Sequence, residues 1–451
     1  MNPEKIMKKF KSSVTIIAVI IVGVIIVALL GGLYWGNYLE RESPSIKSNN
    51  DFLVIGKQKK LEIIFADQKS GLSQIAVEII QNNKGQILAT ENIPARGSKQ
   101  KTISLTIDPA ALKLQDGPAV IKFTAADHSF LKNETVLSSP VTIDTVPPQI
   151  YLLNPVNHIN QGGTCFLAFR TSKPTAQNGV YVNDYFTPGY TILIDNKPTS
   201  VAYFALPIDA TKTNTTIKVF ARDTAGNESN IAVPCLIKEK KFRADKVNLS
   251  EAFLQQKMPE FQAMVPSLQG KTPLEIFNHV NGQMRDDNFR TIQTICRKSS
   301  PNKLWEGTFL RMPKGQPMAL FGDRRTYMAG GNAVGNSLHL GVDLASTAHA
   351  VIEAANDGIV VFTGVLGIYG NTVVIDHGQG LFSLYGHLST INTAAGKAVK
   401  KQEAIGHSGI SGLAGGDHLH FSILAGGQFV NPQEWWDPHW IKDNVTIKMA
   451  Q

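Results

Sequence analysis

Apolar positions along this chain change rhythm several times. From Val14 to Trp35, "VTIIAVIIVGVIIVALLGGLYW", they run on with Thr15 as the one mildly polar interruption. About 20 such residues suffice for a helix to cross a bilayer. A polar linker over 37–50 follows. Beyond it, short segments alternate apolar and polar at every second position: "KLEIIFA", "QIAVEII", "KTISLTI", "AVIKFTA". Gly, Asn, Asp and Ser turns separate them, the pattern of half-buried strands in an all-β sandwich. The pattern then recurs, because "IKVFARDTAGNES" echoes "IKFTAADHSFLKN". The repeat is roughly 95 residues, the size of one sandwich domain.

Helical signals take over after the charged joint "KEKKFRADK". Ser250 is placed to cap "EAFLQQKM". In "TPLEIFNHV", Thr272, Pro273 and Glu275 form a capping box with proline at the first helical position. "NFRTIQTIC" predicts one more short helix. Residues 247–300 therefore read as a helical connector, which can also cover a groove in the domain it packs on. From about Leu304 the pattern becomes glycines and short strands, "GIVVFTG", "NTVVIDHG", "GLFSLYGHL", "HLHFSIL", as in an antiparallel β domain with tight turns. "NPQEWWDPHWI" closes it, with three tryptophans expected to plug its core.

Composition sharpens this picture. A chain of 451 residues is too long for one ordinary core, and 43% hydrophobic with 18% charged residues suits folded domains rather than disorder. The net charge of +8 favours an anionic neighbourhood such as a membrane surface or wall polymer. No dense Lys/Arg cluster stands beside stacking aromatics, which argues against nucleic acid. Lys5, Lys8, Lys9 and Lys11 precede the apolar run, and Tyr34 and Trp35 end it. That layout predicts a cytoplasmic tail over 1–13, a transmembrane helix over 14–35 and everything later outside the cytoplasm. A cleaved signal peptide looks similar, but its apolar region is shorter, and no clear A-x-A site follows here. The three cysteines, Cys165, Cys235 and Cys296, contain no CxxC, so a zinc finger is not expected.

The chemistry lies near the C-terminus, where eight of the eleven histidines fall after residue 330. In "GGDHLHF", His418 and His420 share one face of a strand, about 6.6 Å apart along it. Alone, such a pair is more often the mark of a half-exposed strand than of a metal site. "HLGVD" adds His339 and Asp343, which again share a face of an extended segment. With His420 they make a three-ligand set of nitrogen and oxygen donors with an open fourth position, the arrangement of a catalytic rather than a structural zinc site. His387, in "LYGHLS", lies between these motifs. His349, His377, His407 and His439 read as turn, loop or surface residues.

These motifs, with "FGDRRTY", "AANDGIVVFTG", "YGNTVVIDHGQGLFSLYGHLS" and "IGHSGISG" in order around them, resemble the lysostaphin-like (LytM-type) zinc metallopeptidases over about 305–435. The resemblance implies that His339, Asp343 and His420 bind Zn2+ and that His387 and His418 are the catalytic pair. It implies a peptidoglycan endopeptidase, with histidine as acid and base because no HExxH supplies a glutamate. Tyr327 stands where some relatives carry a carbonyl-polarising tyrosine, and the role of Asp417 is open. "DTVPPQI" and "DTAGNES" likewise resemble bacterial immunoglobulin-like modules over about 51–238. In that fold Cys165 and Cys235 lie on early and late strands, paired or as two free thiols. The expected architecture is mainly β: the helix, immunoglobulin-like sandwiches at 51–145 and 146–238, the connector, and an antiparallel metallopeptidase domain at 304–440. The expected protein is a single-pass inner-membrane enzyme with its catalytic domain in the periplasm. A non-catalytic activator of other wall hydrolases and a sandwich-based adhesion protein are the alternatives, and relatives that serve as activators are marked by broken ligand sets.

Overall fold

The structure is a computed structural model and describes residues 3–36, 38–48, 53–94, 97–153 and 157–449. The expected start of the first sandwich at residue 51 lies outside the described residues, as do the side chains of the N-terminal lysines. The chain is mainly β, as its alternation predicts. It begins with the helix Pro3–Trp35, whose segment Ser13–Trp35 is long and apolar enough to span a membrane.

The chain divides into two compact units, one of residues 1–147 with 224–227, the other of 148–223 with 228–451. In the first, the strands Ser45–Ser48, Lys59–Ala66 and Gln100–Ile107 form one sheet. Val54–Ile55, Glu134–Ile143, Gly117–Asp127, Leu72–Gln81 and Lys84–Asn92 form the other. Alternate residues of both, among them Ile63, Phe65, Val77, Ile79, Ile121 and Phe123, fill one core. That is the consequence of a period-two pattern on two facing sheets.

The second unit opens with two four-stranded sheets. Thr164–Thr171 and Lys197–Ala205 lie at the centre of one, and Gln177–Val182 and Ile217–Arg222 at the centre of the other. Leu167, Phe169, Val180, Val219 and Phe204 fill the space between them. The outer face of the first sheet is buried too. Phe166, Ala168, Val201 and Tyr203 belong to the core of the C-terminal domain, and the Tyr203 ring lies 5.9 Å from that of Trp435. Residues 146–238, expected as a separate sandwich, therefore share a core with 304–440. Glu434 fastens the contact by accepting from Asn160 Nδ2 at 2.8 Å and Thr164 N at 2.8 Å. All three cysteines are free thiols, and burial pushes Cys165 and Cys235 up, the latter to about 11.

The connector starts with the strand Ala244–Asn248, which pairs in parallel with Arg324–Ala329, itself in a hairpin with Asn332–Leu338. Helix Glu251–Met264 follows, with Ser250 accepting from Phe253 N. Helix Pro273–His279 carries the full Thr272–Glu275 capping box, and Arg285–Ile295 is the third helix. The C-terminal domain is built on an antiparallel sheet in the order Gln316–Ala319, Val342–Ala345, Leu419–Ala425, Leu381–Leu388, Asn371–Gly378, Gly358–Val365, Ala398–Val399. Trp435 is fully buried beside Trp305 and Trp440, and Trp436 stacks on Phe421.

Candidate active site

Strand register assembles the site. Asp343 on Val342–Ala345 stands directly opposite His420 on Leu419–Ala425, and His420 in turn stands opposite Gly386. Side chains facing across an antiparallel pair come close enough to share a ligand. His339 enters from the turn before Val342–Ala345. One donor atom each from His339, Asp343 and His420 lies within 4.8 Å of the others. Asp343 Oδ1 is 2.9 Å from His339 Nε2 and 2.9 Å from His420 Nδ1, and these two nitrogens are 3.1 Å apart.

Hydrogen bonds on the far side of each ring fix its proton. His339 Nδ1–H donates to Leu320 O at 2.9 Å, which leaves Nε2 as a lone pair in the neutral ring. Ser422 Oγ spends its hydrogen on Leu340 O at 2.9 Å, so it accepts from His420 Nε2–H at 2.9 Å and leaves Nδ1 free. Three acceptors thus converge with no proton between neutral rings, an arrangement that a bound cation satisfies. Imidazoles held by an outer hydrogen bond are the usual form of metal-ligating histidine. The donor set of two nitrogens and one carboxylate fits zinc with an open position. Gly341 completes the fit: a Cβ there meets His420 Nε2 and Ser422 Oγ, each at 2.6 Å.

His387 and His418 face the same space. Their rings lie 4.8 Å apart, and His387 is 5.8 Å from His420. His387 Nδ1–H donates to Ser411 O at 2.8 Å and His418 Nδ1–H to Gly416 O at 2.7 Å, so both keep Nε2 for the cavity. His387 takes φ 62 where the pairing of Asn371–Gly378 with Leu381–Leu388 shifts register, and the bulge re-aims its ring. Burial, then the neighbouring His418 and His420, hold the His387 imidazole well below its usual value. For His418 burial acts downward, but the hydrogen bond and charge of Asp343 outweigh it and raise the group. Burial opposes ionisation of Asp343, yet His339 first, and then His418 and His420, hold its carboxyl well below the usual range.

The cavity these groups line has a volume of about 480 Å³. Its other wall is the connector, through Val247, Ser250, Phe253, Phe277 and Arg285. Tyr327 also lines it, with its hydroxyl 3.1 Å from Ser337 Oγ and its ring edge-on to Phe277. Sequence reasoning passed over Arg325, Tyr369 and Arg285. Arg325 Nη2 donates to Asp343 Oδ2 at 3.2 Å, and the Tyr369 ring lies 5.2 Å from His420. Arg325 and Tyr369 stand inside the motif stretches, where their residue types were the signal. Arg285 has no such signal. Asp417 buttresses the loop before His418, accepting from Ser408 Oγ at 2.5 Å and His349 N at 3.1 Å. His377 is buried between Asp357 O and Ser383 Oγ, and His407 bonds Thr390 Oγ1; none of these, nor His439, lines the cavity.

Residues 337–432 match Peptidase family M23. The C-terminal part of this chain is thus a Peptidase family M23 domain, and peptidoglycan endopeptidases are among its relatives. The DD-carboxypeptidase/endopeptidase Mpg of Neisseria meningitidis serogroup B is 42% identical over 95 residues, 21% of this chain and 22% of that protein. The peptidoglycan DD-endopeptidase ShyA of Vibrio cholerae serotype O1 is 29% identical over 172 residues, 38% of this chain and 37% of its own length. The murein hydrolase activator EnvC of Escherichia coli is 39% identical over 84 residues, 19% of this chain and 20% of that protein. The matched part therefore spans between a fifth and about two fifths of these relatives.

Proposed function

We propose that this protein is a zinc-dependent endopeptidase that hydrolyses peptide cross-links of peptidoglycan, anchored in the inner membrane by Ser13–Trp35 with its M23 domain on the periplasmic side. The observation that carries the reading is the convergence of His339 Nε2, Asp343 Oδ1 and His420 Nδ1, with His387 and His418 on the same cavity. A zinc ion held by those three residues supplies Lewis acidity to a peptide carbonyl and lowers the pKa of water.

The chain's own groups do the rest. Hydrolysis adds hydroxyl to the carbonyl carbon and a proton to the leaving nitrogen. His387 Nε2 and His418 Nε2 are the ring nitrogens on the cavity, that of His418 at 3.6 Å from Asp343 Oδ1. One accepts the water proton and the other, protonated, stabilises the developing oxyanion and serves the leaving amine. Arg285 and Arg325 add two guanidinium groups to the wall, suited to a substrate whose peptides carry free carboxylates.

The relationship to EnvC keeps a second reading in view, an activator of other hydrolases. The complete His339, Asp343 and His420 set favours catalysis. The test is digestion of purified cross-linked muropeptides by the full chain in detergent, read by mass spectrometry beside His387→Asn and chelator-treated samples. Loss of cross-linked dimers in the untreated wild type alone supports the reading and names the bond. No cleavage by zinc-loaded protein, with stimulation of an added wall hydrolase, favours the activator.

A further inference from the structure

We propose that the first unit carries a calcium site built from Glu40, Asp67 and Asp127, distinct from the M23 centre. These residues come from three separate stretches. Glu40 lies just past Trp35, where the apolar helix ends, Asp67 follows the strand Lys59–Ala66, and Asp127 ends Gly117–Asp127. One oxygen from each carboxylate lies within 4.8 Å of the other two. All are buried, with exposures of 6%, 4% and 3% for Glu40, Asp67 and Asp127.

Among the described residues no Lys, Arg or His forms an ion pair with any of the three. The adjacent Lys69 pairs with exposed Glu42 at 2.7 Å instead. Neutral donors hold the carboxylates in place. Glu40 Oε1 accepts from Ser70 N at 3.1 Å and from Ser70 Oγ, and Asp67 Oδ1 accepts from Lys69 N at 3.1 Å and Gly71 N at 2.5 Å. Asp127 Oδ1 accepts from Ser129 and Asn133, and Oδ2 from Asn133 Nδ2 at 2.8 Å. Glu40 Oε2 stands apart: it is fully buried and has no hydrogen-bond partner. Burial, with Asp67 and Asp127 beside it, raises the Glu40 carboxyl above its ordinary value, and the Lys69 charge reaches it only from an ion pair with Glu42, so the cluster is a costly arrangement. Buried charges of this kind are paired or coordinate a metal.

The donor chemistry selects the ion. Oxygen alone, from carboxylates, suits a hard cation rather than zinc or copper. Ca2+ accepts irregular sets of six to eight oxygens, whereas Mg2+ demands near-ideal octahedral geometry and keeps its waters. The ion would tie the segment leaving the apolar helix to two loops. One of them, 128–133, carries Phe130 and Leu131 at 64% and 55% exposure, and Phe130 N already donates to Tyr38 O at 2.9 Å. Calcium thus fixes how the first unit is held to the end of its helix.

The test is equilibrium dialysis of radioactive calcium against the full-length chain in detergent, freed of calcium and resupplied with zinc. The expected result is one saturable site with a dissociation constant of about 10⁻⁴ to 10⁻³ M, as in extracellular modules, and a thermal midpoint that rises with calcium. Glu40→Gln is the deciding variant, because it removes a buried charge and keeps an acceptor for Ser70. With a wild-type circular dichroism spectrum, it is expected to bind calcium at least about tenfold more weakly, as is Asp67→Asn, while His420→Ala binds as the wild type does. No saturable binding below about 10 mM, undiminished binding in both carboxylate variants, or loss of binding in His420→Ala would each overturn the proposal.

Discussion

Gly341→Ala isolates the support of the metal ligands from the ligands themselves. The residue has ordinary backbone torsions, so alanine brings no conformational strain, only a methyl group. That methyl meets His420 Cε1, His420 Nε2 and Ser422 Oγ, each at 2.6 Å, where ordinary contact begins at 3.4 Å. The ring must therefore retreat by about 0.8 Å, or the backbone must move by as much, and the His420–Ser422 hydrogen bond that fixes the tautomer is strained. Metal–ligand distances tolerate only about 0.2 Å. Loss of an outer hydrogen bond alone costs about 10- to 100-fold in metal affinity. A misplacement near 1 Å costs about 100-fold in turnover. Overpacking a site of this kind destabilises the fold by about 1–3 kcal/mol. Zinc affinity measured by competition with a chromogenic chelator, beside the thermal midpoint and the rate of muropeptide cleavage, separates these effects. The expected variant is folded, binds zinc 10- to 100-fold more weakly and cleaves slowly even at saturating zinc. Wild-type zinc affinity and rate together would refute the reasoning, because they would mean that His420 does not depend on the space beside Gly341.

Other outcomes follow from the same geometry. His387→Asn, chosen because asparagine tolerates positive φ, is expected to keep its zinc while turnover falls about 10²- to 10⁴-fold; zinc loss in that variant would make His387 a ligand instead. His377 is buried, and burial pushes its imidazole from 6.5 down to about 4. Because the folded state binds the proton less readily, its contribution is complete above about 6.5 and is lost as pH falls toward 4, by about 3 kcal/mol in total. Denaturant titrations from pH 8 to pH 4 should show that slope in the wild type and a flatter one in His377→Gln; parallel slopes would exclude His377 as its source. Phe253→Ala trims the connector wall of the cavity, and the ratio of intact-wall to small-muropeptide cleavage should rise, whereas an unchanged ratio would show that the connector does not restrict access.

Local periodicity made much of this fold readable. In Leu72–Gln81 and Gly117–Asp127 alternate residues are buried as the sequence alternates, and Ser250 and Thr272 cap where their spacing says they should. The grouping of the candidate site's residues was readable for a related reason. His339, Asp343 and His420 lie in short extended motifs, and one register, Asp343 opposite His420, joins them. The left-handed backbone of His387 was not readable, because a bulge depends on what the neighbouring strand does. The two-sided burial of Thr164–Thr171 was hidden as well, since its outer partners Trp305 and Trp435 lie far along the chain. The same holds for the connector wall. The parallel pairing of Ala244–Asn248 with Arg324–Ala329 brings Phe253 and Arg285 to the cavity, and a pairing across such a distance leaves no local signature.

The most direct test of the account measures metal content and cleavage in the same samples. Wild-type chain and the variants His339→Ala, Asp343→Ala and His420→Ala would be purified identically, analysed for zinc by mass spectrometry and assayed on cross-linked muropeptides. The account predicts about one zinc per chain and cleavage in the wild type, with both lost together in all three variants and returned to the chelated wild type by zinc alone. Cleavage that survives without metal, or zinc that stays bound after these ligands are removed, would contradict it.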